Sequence, residues 1–251
     1  MIESAQANDC SLRGHAAPRV YDFMNCSNTN NIWKPRRRLG LTALALAFCA
    51  VMLLGACSTG ETPTIEGLTA QQWYKKGSDL WVNGRFVRVR DAVAYFSRAI
   101  ELDPDFKEAY NSRGIAYDYL ERQSLAIQDF DEAIDLDENY KHAYNNRGIV
   151  YKKLGELDDA LDDFSRAIAI DQGYLTAYNN RGNVYRAVGQ YGQAIKDYDR
   201  ALEIKPDFAK ALANRAELHF AMKNKALACQ DNRRACELGY RRSCRLMERK
   251  C

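Results

Sequence analysis

Residues 143–171 read AYNNRGIVYKKLGELDDALDDFSRAIAID, and residues 177–206 read AYNNRGNVYRAVGQYGQAIKDYDRALEIKP. Laid on each other, the two stretches agree in phase at a period of 34 residues. The same period relates Arg113, Arg147, Arg181 and Arg215. It also relates Phe106, Tyr140, Tyr174 and Phe208, and Ala99, Ala133, Ala167 and Ala201, with Ala235 one step further on. A fixed period of this size means a stack of like supersecondary units rather than one closed core. Inside each unit, apolar residues recur at i, i+3, i+4 and i+7 in two segments that meet at Gly155 or Gly189, so each unit is a pair of helices. The units run 107–140, 141–174, 175–208 and 209–242, and an earlier unit over about 70–106 carries three extra residues near Val87–Arg90. The predicted fold is all-α, a solenoid of about five helical hairpins over 70–242, with a short cap helix over 243–251.

The spacing of small and aromatic residues adds a family. The first-helix small position holds Gly77, Gly114, Gly148, Gly182 and Ala216. The second-helix positions hold Ala92, Ala126, Ala160, Ala194 and Ala228, followed by the Ala99 series, and the aromatic slot holds Phe96, Phe130, Phe164 and Tyr198. Over about 70–240 this resembles the tetratricopeptide repeat family. The resemblance implies a right-handed superhelix whose first helices line a concave, protein-binding groove. The proline that closes a repeat in that family stands only at Pro104 and Pro206, and Asn232 takes the aromatic slot of the fifth unit, which marks a modified, capping repeat.

Sixteen residues after each recurring arginine stands an aspartate: Asp129, Asp163, Asp197 and Asp231. In an antiparallel hairpin the two positions lie opposite each other, so four successive Arg–Asp pairs are expected. A fully solvated pair contributes about 0–1 kcal/mol, and a charged ligand groove is the other alternative. The arginine slot is usually apolar in the family, which favours a half-buried structural pair.

The front of the chain reads as an address. Residues 36–57, RRRLGLTALALAFCAVMLLGAC, place three arginines before an apolar stretch that ends in Leu54-Gly55-Ala56-Cys57. Basic, apolar and small-residue regions in that order make a secretory signal, and the stretch is shorter than the about 20 residues of a membrane span. The ending resembles the bacterial lipobox, which implies cleavage before Cys57 and lipidation (palmitate among the acyl chains) of that cysteine. Ser58 after it favours the outer membrane by the same resemblance. The expected domains are a leader over 1–35, which an over-extended start would explain since Met24 offers a more ordinary one, a lipoprotein signal over 36–56, and a flexible tether over 57–69.

Charge and cysteines change meaning once that signal is set aside. Residues 1–56 hold 6 of the 36 basic and 3 of the 33 acidic residues, so the remainder is balanced at 30 of each, which gives no case for nucleic acid. Residues 209–251 are nevertheless basic, with 11 Lys and Arg against 4 Asp and Glu. Four cysteines remain besides Cys57, all near the end: Cys229, Cys236, Cys244 and Cys251. An even number of them fits an oxidising compartment. They allow three connectivities. Facing positions in an antiparallel helix pair have a constant index sum, and 236 with 244 and 229 with 251 share one, so disulfides Cys236–Cys244 and Cys229–Cys251 are expected. The stretch ACELGYRRSC also resembles secreted cysteine-rich helical repeats cross-linked in this way. Zinc-ligand spacing is lacking.

Little in the sequence reads as chemistry. His142 and His219 lack metal-ligand spacing, and no phosphate loop, nucleophile elbow or catalytic carboxylate pair stands out. No enzyme activity, cofactor, metal or small-molecule substrate is expected; an envelope enzyme with a degenerate site is the alternative that measurable turnover would revive. The candidate binding residues are asparagines: Asn111, Asn145 and Asn179 in one row, Asn146, Asn180 and Asn214 in the next, with Asn183 nearby. An amide offers both donor and acceptor to a peptide unit. Such ladders resemble those that hold extended peptides in O-GlcNAc transferase, although one row can instead bond to its neighbours and shape the stack. Ile149, Lys152, Asn183 and Arg186 are expected on the same groove. The carboxylate clamp of chaperone-binding repeats is not matched, since its positions hold Tyr74 and Ser78. The expected function is a lipid-anchored periplasmic scaffold that binds a protein or extended peptide and reaches the membrane through its lipid. A pilotin-like assembly factor and a surface-exposed lipoprotein that binds host or matrix proteins are the alternatives.

Overall fold

A computed structural model describes residues 67–251. Thr69 opens the first helix with a reciprocal cap: its hydroxyl accepts from the Gln72 N–H at 3.3 Å, and the Gln72 side chain accepts from the Thr69 N–H at 2.8 Å. The elements that follow are α1 (Ala70–Ser78), β1 (Trp81–Val82), β2 (Arg85–Phe86), α2 (Val89–Leu102), α3 (Lys107–Tyr119), α4 (Gln123–Leu136), α5 (Lys141–Leu154), α6 (Leu157–Ile170), α7 (Leu175–Ala187), α8 (Tyr191–Ile204), α9 (Ala209–Ala221), α10 (Lys225–Glu237) and α11 (Arg241–Lys250). Consecutive helices from α1 to α10 pair into five hairpins, each packs on the next, and α11 closes the stack against α10. The fold is a solenoid of helical hairpins, as the period predicts.

The core repeats with the sequence. Ala92, Ala126, Ala160, Ala194 and Ala228 are completely buried, as are Ala99, Ala133, Ala167, Ala201 and Ala235. Phe96, Phe130, Phe164 and Tyr198 are also buried, each against the small residue of its own first helix. The fit leaves no room for one more carbon: a Cβ on Gly114 would stand 2.7 Å from Phe130 Cε1. The fifth hairpin changes both partners together, to Ala216 and Asn232. Asn232 is completely buried, and neither amide atom has a hydrogen-bond partner among the described residues.

The turns inside the hairpins require a left-handed residue. Gly155 and Gly189 supply it at φ +87° and +78°, and Glu121 and Lys223 occupy the same slot at +58° and +62°. A non-glycine residue held there costs about 1–2 kcal/mol.

Two features depart from the expected outline. The extra length of the first unit lies earlier than Val87–Arg90: α1 stops at Ser78, and a two-stranded antiparallel hairpin pairs Trp81 with Phe86 and Val82 with Arg85. Asn83 and Gly84, at φ +51° and +79°, form its turn, which is the Asn-Gly signal for a tight hairpin. The cap helix α11 begins at Arg241, two residues before the expected 243. Cys229 is joined to Cys251 and Cys236 to Cys244, with Cα separations of 5.7 and 4.8 Å, so both bonds tie α10 to α11. The leader over 1–35, the signal over 36–56, Cys57 and the tether to residue 66 lie outside the described residues. Among the described residues, no helix is long and apolar enough to cross a membrane.

Candidate functional site: the concave face

The first helices of successive hairpins touch each other, α3 with α5, α5 with α7 and α7 with α9, more closely than the second helices do. The stack therefore curves with its first helices on the inside, and their outward side chains line the concave face.

The recurring arginines sit at the root of that face and point back into the stack. Arg147 forks onto Asp163, Nε to Oδ2 at 2.9 Å and Nη2 to Oδ1 at 2.7 Å. Arg113 with Asp129, Arg181 with Asp197 and Arg215 with Asp231 repeat the fork within 2.7–2.9 Å. The remaining Nη1 reaches the preceding hairpin, where Ser97, Asp131, Ser165 and Asp199 accept in turn. Tyrosine rings flank the guanidinium, those of Tyr144 and Tyr151 at 5.6 and 5.8 Å from Arg147. Burial opposes the charge on Arg147, but the bonds and attraction of Asp163 and Asp131 outweigh it and raise the arginine pKa. Burial likewise pushes the Asp129 and Asp163 carboxyls up against the pull of their arginines. With its fork on a buried aspartate, its third bond to the preceding hairpin and its faces on tyrosine rings, each ladder arginine acts as an internal bolt.

The asparagines divide into two classes. Asn111, Asn145 and Asn179 are buried, and the carbonyl oxygen of each accepts from the next hairpin: from Asn146 at 2.9 Å, Asn180 at 3.0 Å and Asn214 at 2.8 Å. For Asn111, Asn145 and Asn179, a row expected to read a peptide, burial and the bonds to neighbouring amides favour the alternative role of shaping the stack. Asn146, Asn180 and Asn214 are half-buried, and each spends one N–H on this ladder. Asn145 also donates to the Asn146 oxygen at 3.3 Å. Among the described residues the Oδ1 atoms of Asn180 and Asn214 have no hydrogen-bond partner. Asn183 accepts from the Tyr198 hydroxyl at 2.8 Å and keeps its N–H groups free.

The rest of the concave face mixes apolar and charged groups. Ile149 and Lys152 are half-buried beside these amides on α5. Lys153 bonds to Asp118 Oδ2 at 2.5 Å, Arg186 to Glu217 at 2.8 Å, and Arg242 to the other Glu217 oxygen at 2.6 Å. Lys152 has no acidic partner among the described residues. Burial first, and then Lys153 and Arg186, push its pKa down. The sequence reading missed the hairpin at the N-terminal end. Trp81 and Phe86 meet edge to face at 4.8 Å, and Tyr119 closes on both rings and donates its hydroxyl to the Gly84 carbonyl at 2.8 Å. Asn83-Gly84 between Trp81-Val82 and Arg85-Phe86 was the available signal.

The comparisons with known proteins agree with this architecture. Two family models, each described as tetratricopeptide repeat, match the chain, one over 74–141 and the other over 142–174 and 176–208. The chain belongs to the tetratricopeptide repeat family. Among solved structures, PilF of Pseudomonas aeruginosa superposes with a TM-score of 0.61 at 17% identity, covering 67% of this chain and 75% of PilF. PilW, described as a widely conserved type IV pilus biogenesis factor, gives 0.61 at 22% identity, covering 67% of this chain and 77% of PilW. The tetratricopeptide repeat protein TTC0263 of Thermus thermophilus gives 0.59 at 22% identity, covering 68% of this chain and 91% of its own. At these identities the likeness shows the tetratricopeptide fold alone. No curated protein sequence matches the chain. Proteins of this family are generally non-enzymatic scaffolds, and among the described residues no group of three His, Cys, Asp or Glu stands close enough to hold a metal ion.

Proposed function

We propose that this protein is a lipid-anchored scaffold of the bacterial cell envelope that holds an extended segment of a partner protein along its concave face. The observation that carries the reading is the row of unsatisfied groups on the inside of the curve: Asn180 Oδ1, the Asn183 N–H groups, Asn214 Oδ1 and Lys152 Nζ. They build none of the stack, and they offer a donor on α5, an acceptor and a donor on α7 and an acceptor on α9, a mixed set that suits an extended backbone. The two disulfides support an oxidising compartment such as the periplasm. The Leu54-Gly55-Ala56-Cys57 ending supports a lipid anchor at Cys57, and Ser58 after it supports the outer membrane as its site.

In-cell crosslinking tests the groove. A photo-reactive residue in place of Ile149 or Asn183 captures a protein partner, and one in place of the exposed Glu132 on α4 does not. Capture only from Glu132 overturns the groove reading. Loss of the membrane fraction in Cys57→Ser tests the anchor separately. A part in type IV pilus biogenesis, as for PilW, is the neighbouring reading, and loss of surface pili on deletion of the gene distinguishes it.

A further inference from the structure

The β-hairpin inserted into the first repeat builds something the other repeats lack. Trp81, Phe86, Phe96 and Ile115, with Ser78 and Ser112, enclose an open cavity of about 260 Å³ at the N-terminal end of the concave face. Phe96 forms its buried floor, and Trp81, 42% exposed, forms its rim. The wall is preformed, since Tyr119 pins the hairpin to the end of α3 by ring contacts and by its bond to Gly84. The cavity lies below the roughly 300–1,000 Å³ that small-molecule sites occupy. Its size and apolar lining suit one large side chain.

The charges beyond it define the rest of the occupant. Asp118, Lys152, Arg186 and Phe220 hold the same slot of four successive repeats, beyond the first-repeat hairpin that carries Trp81. Asp118 gives one oxygen to Lys153, while its other oxygen is buried and has no partner among the described residues. It disfavours an acid beside the pocket. One repeat further, Lys152 has cations as its neighbours, and a carboxylate is the group that completes it.

We propose that the hairpin pocket anchors an aromatic or large aliphatic side chain of an acidic, extended peptide, whose carboxylate reaches Lys152. This rests on the groove reading above and adds a partner chemistry and a register to it. Neighbouring helices stand about 8–10 Å apart and an extended chain advances about 3.3 Å per residue, so the acid lies about three to six residues from the anchor.

Fluorescence polarisation on the full chain in detergent tests this with labelled, capped Gly-Ser peptides. Each carries one Phe and, three to six residues away in either chain direction, a pair of Glu. The Phe peptide is expected to bind at least about tenfold more tightly than its Ala counterpart, the gain typical of burying one such side chain. Trp81→Ala abolishes the Phe dependence and keeps the Glu dependence, whereas Lys152→Met does the reverse. Ser112→Phe, which fills the pocket and leaves the hairpin intact, has the same effect as Trp81→Ala. Equal binding of Phe and Ala peptides, no binding at about 1 mM, or a Trp81-dependent response to phosphatidylglycerol vesicles with none to peptides overturns the proposal. Groove crosslinks at Asn183 that persist in Ser112→Phe with unchanged peptide affinity sink the pocket and leave the groove reading standing. Absence of all groove crosslinks sinks both.

Discussion

Replacing Gly114 by alanine tests the small–aromatic fit on which the hairpins are built. The new Cβ meets three atoms of the buried Phe130 ring at 2.7, 3.0 and 3.0 Å, too close for the ring to stay where it is. Overpacking of this kind costs about 1–3 kcal/mol. The substitution also removes a glycine from the interior of α3, which returns about 1 kcal/mol of helix propensity. The expected net loss is therefore about 0–2 kcal/mol, and its modest size hides two larger opposing effects. A double-mutant cycle with Phe130→Leu separates them. Once the ring is gone the clash disappears and Gly114→Ala becomes stabilising by about 1 kcal/mol. The coupling energy is then about 1–3 kcal/mol, read from urea midpoints of the four proteins at constant slope. In thermal scans a difference of about 1 kcal/mol corresponds to about 2–4 °C for a domain of this size. A coupling below about 0.5 kcal/mol, the ordinary limit of additivity, refutes the fit.

Three further outcomes are expected. Arg147→Met leaves the buried Asp163 carboxylate without its fork and destabilises by about 3 kcal/mol, whereas Arg147→Met with Asp163→Leu recovers most of the loss in urea titration. Opening Cys229–Cys251 with paired alanines releases a loop of 22 residues and costs the terminal hairpin about 3 kcal/mol, measured as faster amide exchange in α10 and α11 but not in α3. His219, beside Arg215, Asp231 and Asp199, has its pKa lowered by burial, so the folded chain takes up that proton less readily than the unfolded one. Its contribution is whole above the unfolded value of about 6.5 and is lost as pH falls below it. His219→Gln should therefore flatten the dependence of urea midpoints on pH between about 5 and 7.5, and unchanged slopes count against it.

The sequence disclosed what lies within a repeat and concealed what lies between repeats. Gly148 and Phe164 belong to one hairpin, and their spacing makes their contact legible. Arg147 and Asp163 are legible for the same reason. The bond from Asn146 to Asn111 crosses 35 residues, and whether those amides meet depends on how one hairpin is rotated onto the next. No single repeat carries that information, so a buried ladder and a ligand-facing row looked alike. The Trp81–Phe86 hairpin escaped for another reason. It interrupts the period, and an interruption reads as extra length until the Asn83-Gly84 turn is recognised as a fold of its own.

The third bond of each ladder arginine has a consequence for how the array bends. Its acceptor alternates along the stack: Ser97, then Asp131, then Ser165, then Asp199. A carboxylate holds a guanidinium more strongly than a hydroxyl does. The junctions between the second and third hairpins and between the fourth and fifth thus carry an added ion pair, and those between the first and second and between the third and fourth carry a hydroxyl in its place. By this bond the array divides into a first hairpin and two two-hairpin blocks, with the weaker links at Ser97–Arg113 and Ser165–Arg181. A partner lying along the concave face would meet segments of unequal stiffness rather than a uniform spring.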